Sequence, residues 1–271
     1  MKHSCMLLVM IGLAALGMNA QTAPGIGVVP VPVVVNCDQG QSLGFATLAA
    51  LDISDVHIES SLFENSAGAS FREGLLVGSG HVTMQTTTVR NMQVGIDIQA
   101  HGTVDIQSFN SYFPITFPTD VAIENPAGTN FNGVSVRDGS ELHLGDTKLR
   151  IANSGQPFGG STAGVFVSDA GTLTAGANLV ISGSQGQGVF VTNNSHASLV
   201  GSSITGSGHG GLVVANLSSV AVGTGPFTQI SGNGTDLFCD SRSLITGAAN
   251  IANATTVQCG NLLAGDTVPV P

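Results

Sequence analysis

A glycine followed by alternating apolar residues recurs along this chain and constrains its fold more than any other feature. The segment "AGVFVSDAG" at 163–171 returns as "QGVFVTNNS" at 187–195 and "GGLVVANLS" at 210–218. The anchor positions are Gly74, Gly95, Gly133, Gly164, Gly188 and Gly211, with Asp236 in the seventh place. Their steps are 21, 38, 31, 24, 23 and 25 residues, and a period in this range indicates a solenoid.

Each repeat has room for three short strands and no helix. After the anchor strand comes a second alternating run, such as "TLTA" at 172 and "HASL" at 196. A third apolar segment, such as "LVISGS" at 179, precedes the next glycine. The sequence therefore predicts an all-β fold, a single parallel β-helix of about eight coils over residues 55–260.

Two columns of equivalent residues define the expected register. Coils stacked about 4.8 Å apart place equal repeat positions above one another. One inward column then contains Val165, Val189 and Leu212. A turn column contains short polar side chains that suit tight bends, namely Asp138, Asp169, Asn193 and Asn216.

The coil length, the glycine-anchored turns and the stacked aliphatic columns resemble the secreted right-handed parallel β-helix proteins, the pectate-lyase-like superfold. The resemblance covers roughly residues 55–260 and implies a right-handed coil, but it implies no particular activity. "GSGHGG" around His209 is similar to the Gly-His-Gly of polygalacturonase-like β-helices. The Asn-Thr-Asp and Asp-Asp motifs of that family are missing, which favours a turn histidine.

The ends of the chain differ from the repeats. Residues 1–20 read as a secretory signal, with Lys2 before an apolar run of about twelve residues, too short to span a membrane. We expect an extracytoplasmic protein, secreted or periplasmic. Residues 21–37 form an extended arm or edge rich in Pro and Val, 38–54 a short amphipathic capping helix, and 261–271 a C-terminal tail.

The cysteine and charge content limits which disulfides the chain can form and which molecules it can bind. Once Cys5 leaves with the signal, Cys37, Cys239 and Cys259 remain, so one must stay free or pair elsewhere. Cys259 follows Cys239 by one coil length, and we predict a disulfide between them. Without Lys2, six basic residues face seventeen acids, a net charge near −11. This balance argues against a nucleic-acid partner.

Three residues are candidates for catalysis, and none has a complete set of partners. Asp105 and His143 are predicted to be neighbours in the outward column of the second strand, where they form either an acid–base pair or a surface ion pair. His209 is the third candidate. Glycoside hydrolysis needs two opposed carboxylates, and no such pair is evident. No metal site and no cofactor are predicted.

Aromatic residues mark two possible binding regions. The outward column that contains Phe166, Phe190, Val213 and Phe238 is apolar in the last four coils. The 108–131 loop contains Tyr112, Phe113 and Phe117, which could stack on a sugar ring or form the loop's own small core.

Two functions are compatible with these features. The first is an exported, non-catalytic β-helix that acts in surface or carbohydrate binding or in scaffolding, with self-association through the apolar column as one option. The alternative is a carbohydrate-active enzyme, a polysaccharide hydrolase or lyase with an atypical site near the 108–131 loop. The missing acid–base set favours the first.

Overall fold

A computed structural model describes most of the repeat region. The described residues are 33–36, 55–59, 62–64, 73–108, 120–124, 131–157 and 162–260. Several sequence predictions lie outside them: the signal 1–20, the capping helix 38–54, Cys37, the tail 261–271, and Tyr112, Phe113 and Phe117.

The described residues form strands β1 to β25, numbered in chain order, and one short 3-10 helix at Ala248–Asn250. Sheet 1 contains Val33–Asn36 (β1), Asp55–Glu59 (β2), His81–Gln85 (β5), Thr103–Ile106 (β8), Glu141–Leu144 (β11), Thr172–Ala175 (β14), His196–Leu199 (β17), Ser219–Val222 (β20) and Leu244–Thr246 (β23). Sheet 2 contains Leu62–Glu64 (β3), Thr88–Arg90 (β6), Val121–Glu124 (β9), Leu149–Ala152 (β12), Leu179–Ser182 (β15), Ser203–Thr205 (β18), Thr228–Ser231 (β21) and Ile251–Ala252 (β24). Sheet 3 contains Glu73–Val77 (β4), Val94–Ile98 (β7), Asn132–Val136 (β10), Ala163–Val167 (β13), Gln187–Val191 (β16), Gly210–Val214 (β19), Thr235–Cys239 (β22) and Val257–Cys259 (β25).

All strand pairs in these sheets are parallel, and within each sheet the strands follow chain order. From β2 onward, the chain visits sheets 1, 2 and 3 in turn before it returns to the next strand of sheet 1. Three stacked parallel sheets of this kind are consistent with the predicted β-helix solenoid. Strand β1 is the outermost strand of sheet 1 and pairs only with β2.

The predicted inward column is confirmed. Val165 pairs in register with Val189, and Val189 pairs with Leu212. All three side chains are fully buried in one continuous core. Because successive residues along a strand point to opposite faces of the sheet, this register also fixes which residues point outward.

Close packing explains why glycine recurs at the anchor. A Cβ atom on Gly164 would lie 2.8 Å from both the carbonyl oxygen of Gly188 and the Cγ2 atom of Ile181. A Cβ on Gly188 would lie 2.6 Å from the carbonyl oxygen of Gly211 and would collide with Ile204. Sheet 2 and the next strand of sheet 3 can therefore approach the anchor this closely only where it lacks a side chain.

The polar turn column is confirmed as a ladder. Its members adopt left-handed backbone angles, with φ of 53° at Asp169, 56° at Asn193 and 53° at Asn216. Asn193 Nδ2 donates to Asp169 Oδ1 at 3.1 Å, and Asn216 Nδ2 donates to Asn193 Oδ1 at 3.2 Å. Asn and Asp tolerate this conformation better than other non-glycine residues, so the column both makes the bend and links neighbouring coils.

The last coil ends in a hydrogen-bonded carboxylate. Asp236 occupies the anchor place and is 1% exposed. Its Oδ2 atom accepts from the N–H groups of Thr255 at 2.7 Å and Thr256 at 3.2 Å, and its Oδ1 atom accepts from Asn233 Nδ2 at 3.0 Å. Burial alone would raise the pKa of Asp236, but these hydrogen bonds outweigh it and hold the pKa below its usual range.

The predicted disulfide closes the same end. Cys239 and Cys259 pair in register on β22 and β25, with their Cα atoms 4.6 Å apart, and their sulfurs are bonded. The bond therefore joins two adjacent strands of sheet 3 and complements the Asp236 hydrogen bonds.

Candidate functional site

The outer face of sheet 3 presents the predicted outward column in continuous register. Phe166 pairs with Phe190, Phe190 with Val213, and Val213 with Phe238. Phe166 and Phe190 are half-buried, Val213 is 8% exposed and Phe238 is 36% exposed. We call these four residues the apolar stripe.

The column begins with the half-buried Leu76 on β4, and the next two strands, β7 and β10, carry polar residues that are nevertheless buried. Asp97 is 3% exposed and Ser135, its register partner, is 6% exposed. Arg137 binds Asp97 through two hydrogen bonds, from Nη2 to Oδ2 at 2.7 Å and from Nε to Oδ1 at 3.2 Å. A two-point contact of this kind compensates the desolvation of the carboxylate. The polar end of the column is thus held by an ion pair, whereas the stripe remains partly open to solvent.

The rings of the stripe meet edge to face. The centroids of Phe166 and Phe190 are 5.5 Å apart, and their planes make an angle of 61°. Two rings at this angle do not form the flat platform that a row of sugar rings would need for stacking. The adjacent residues Ser168 and Thr192 are buried and bonded to the turn residues that follow them. The geometry therefore suits contact with an apolar surface more than recognition of hydroxyl groups.

On sheet 1, Asp105 and His143 are register neighbours, as the sequence predicts. Their side chains, however, make hydrogen bonds with other residues. His81 Nε2 lies 2.9 Å from Asp105 Oδ2, and His143 Nε2 lies 2.9 Å from Glu141 Oε2. The histidines are more than a third exposed, so each contact is a surface ion pair or hydrogen bond. The expected direct pairing of Asp105 with His143 is therefore replaced by two separate pairs.

His209 lies in the turn before β19, as a turn histidine should. Its Nε2 atom makes a hydrogen bond with the carbonyl oxygen of Pro157, which belongs to an earlier coil. This contact ties two turns together on the outside of the solenoid. It gives His209 a structural role that needs no substrate.

Other classes of site leave no sign in the described ranges. Within them, no cluster of three or more His, Cys, Asp or Glu side chains is arranged to hold a metal ion. The helical part of the described chain offers no segment of sufficient length and apolarity to cross a membrane.

The comparisons with known proteins are negative. No model of a protein family, no curated protein and no solved structure matches this chain.

Three polar partners were missed by the sequence reading. His81 binds Asp105 and Arg137 binds Asp97 across diagonals of the sheet, and Glu141 binds His143 from two residues away on the same strand. Comparing residues only at equal repeat positions could not reveal these contacts. A search of positions offset by two, on the same outer face, would have found all three.

Proposed function

We propose that this chain is an exported, non-catalytic β-solenoid that works as a binding or scaffolding protein, and that the apolar stripe is its contact surface. The observation that carries this proposal is the continuous outward register of Phe166, Phe190, Val213 and Phe238. A contiguous row of partly exposed apolar residues on a protein surface is more often an interaction site than a face that stays uncovered in solvent.

Export is supported by two independent features. Residues 1–20 have the charge and apolar pattern of a secretory signal. The Cys239–Cys259 disulfide fits an oxidising compartment, where such bonds persist. The proposal includes a right-handed path of about eight coils, the hand that connections between parallel strands nearly always adopt.

The non-catalytic part of the proposal rests on how the candidate residues are occupied. Asp105 binds His81, His143 binds Glu141, and His209 binds a backbone carbonyl. A role in orienting or tying the surface accounts for each.

Binding of the neutral dye Nile red to the chain from Gln21 onward tests the contact surface. We expect the Phe166→Ser/Phe190→Ser variant to lose most of the fluorescence gain. Phe227→Ser is the matched control, because Phe227 is 55% exposed and lies in a turn outside the stripe. Equal dye binding by all three proteins would refute the proposal.

The carbohydrate-active alternative is tested by incubating the same protein with neutral and acidic polysaccharides. Reducing-sugar and unsaturated-product assays should both stay at background. Turnover that His143→Ala or Asp105→Asn abolishes would establish the enzyme instead.

A further inference from the structure

We infer that the occupant of the apolar stripe is a second copy of this chain, packed stripe against stripe about a twofold axis. This inference rests on the proposed function and names its partner. A twofold interface is made by the same patch on both molecules, so the patch must be compatible with itself in both charge and shape.

Charge favours the C-terminal coils, which carry the stripe, over the rest of the surface for self-contact. The chain carries seventeen acids against seven basic residues, so most of its surface repels a second copy. Residues 162–260 contain only Asp169, Asp236, Asp240 and Arg242 as charged groups. Asp236 is buried in its own hydrogen bonds, and Asp169 and Asp240 lie in or beside turns at the edge of the face. Two copies can therefore meet at the stripe with little like-charge repulsion.

Shape favours self-contact as well. The stripe is a ridge of large side chains with a row of smaller ones beside it. That row consists of Ser168, Thr192 and Ala215, on the side of the turn that follows each strand. A ridge beside a row of small residues can fit against a copy of itself, since each ridge fills the shallow row of the other.

Size indicates a weak complex. The stripe spans three strand spacings, about 14 Å at about 4.8 Å each. Three partly exposed rings and the buried Val213 offer less than the roughly 800 Å² per partner of a standard interface. We therefore expect a dissociation constant of about 10–100 µM, which corresponds to a transient dimer.

Sedimentation velocity on the chain from Gln21 onward, over about 5–500 µM, measures this association. We expect a reversible monomer–dimer equilibrium. Phe238→Glu should weaken it at least about tenfold, because each dimer would then bury two unpaired carboxylates. Phe190→Ser should weaken it similarly, and Phe227→Ser should leave it unchanged. Unchanged far-ultraviolet circular dichroism would show that each variant is folded, and Phe238 carries little folding risk because it is exposed.

Three outcomes would overturn the inference. The first is a chain that stays monomeric throughout, and the second is a dimer that Phe238→Glu and Phe190→Ser leave intact. The third is a chain that is monomeric with its tail and dimeric only when it ends at Gly260, which would make the tail 261–271 the occupant. In each case the Nile red assay still reports whether the stripe is a contact surface, so the proposed function stands or falls separately.

Discussion

On the outer face of sheet 3, strands β7 and β10 present polar side chains that are buried, whereas strands β13, β16 and β22 present phenylalanines that are partly exposed. Asp97 and Ser135 represent the first half, and Phe190 and Phe238 the second. Solvent exposure alone would produce the opposite distribution. The difference shows that an outward position in a solenoid takes its residue type from what covers it, by an ion pair in one half and, we propose, by a second molecule in the other.

The largest expected effect tests what the two halves share. Gly95→Ala in the first half and Gly188→Ala in the second should each lower the free energy of unfolding by about 3 kcal/mol or more, because the added Cβ meets a backbone carbonyl that stacked coils cannot move aside. Chemical denaturation measures the change. Gly176→Ala is the control, since a Cβ there meets nothing within 4 Å. A small effect in one half alone would mean that its coils can shift independently.

The second-largest expected effect is a loss of stability confined to the last coil. Cys239→Ser/Cys259→Ser removes a bond across a separation of 20 residues and should cost about 3 kcal/mol. Amide hydrogen exchange should accelerate in β22 and β25 and stay unchanged in β7 and β10. Acceleration in β7 and β10 as well would show that the two halves unfold as one unit.

The third effect concerns the polar half. Arg137→Met leaves the Asp97 carboxylate buried without its two-point partner and should cost about 2 kcal/mol. The matched control is Arg150→Met, since the Arg150–Asp120 pair is solvent-exposed and should contribute less than about 1 kcal/mol. Thermal and denaturant unfolding compare the two. Equal losses would show that burial of Asp97 adds nothing to its ion pair.

The repeat allowed much of this architecture to be predicted. Val165, Val189 and Leu212 share a column because their repeats align without gaps, and Cys239 and Cys259 meet for the same reason. The outward stripe follows directly from the alternation of side chains along those strands.

The side-chain pairs were harder to predict from the sequence than the register of the strands. Asp97 faces Ser135 in register but binds Arg137, which follows Ser135 by two residues. Asp105 likewise faces His143 but binds His81. A long or ring-bearing side chain can reach a diagonal neighbour about as easily as a direct one, so backbone register does not determine the partner.

Asp236 stood out in the sequence only as a departure from the glycine pattern. Its role depends on the chain at Thr255 and Thr256, whose N–H groups both donate to the Asp236 carboxylate. Nothing in the local sequence of the repeat indicates that contact.

The smallest expected effect is a dependence of stability on pH that the last coil has because of Asp236. The pKa of Asp236 in the folded chain lies below its ordinary value of 3.8, because hydrogen bonds from Thr255, Asn233 and Thr256 outweigh the effect of burial. A depressed folded pKa contributes stability that is present above the unfolded pKa and is lost as pH falls below it. Asp236→Asn should therefore be less stable than the natural chain by about 1–2 kcal/mol near pH 6, through its weaker acceptor. The difference should shrink as pH falls from about 4 towards 2, since only the natural residue becomes protonated there. Urea unfolding at a series of pH values measures the stability of both proteins.

Asp236→Gly restores the glycine of the other coils, and we expect this variant to be destabilised as well, because the N–H groups of Thr255 and Thr256 lose their acceptor. Full stability of the glycine variant would show that the last coil is held like the others and that its carboxylate is incidental.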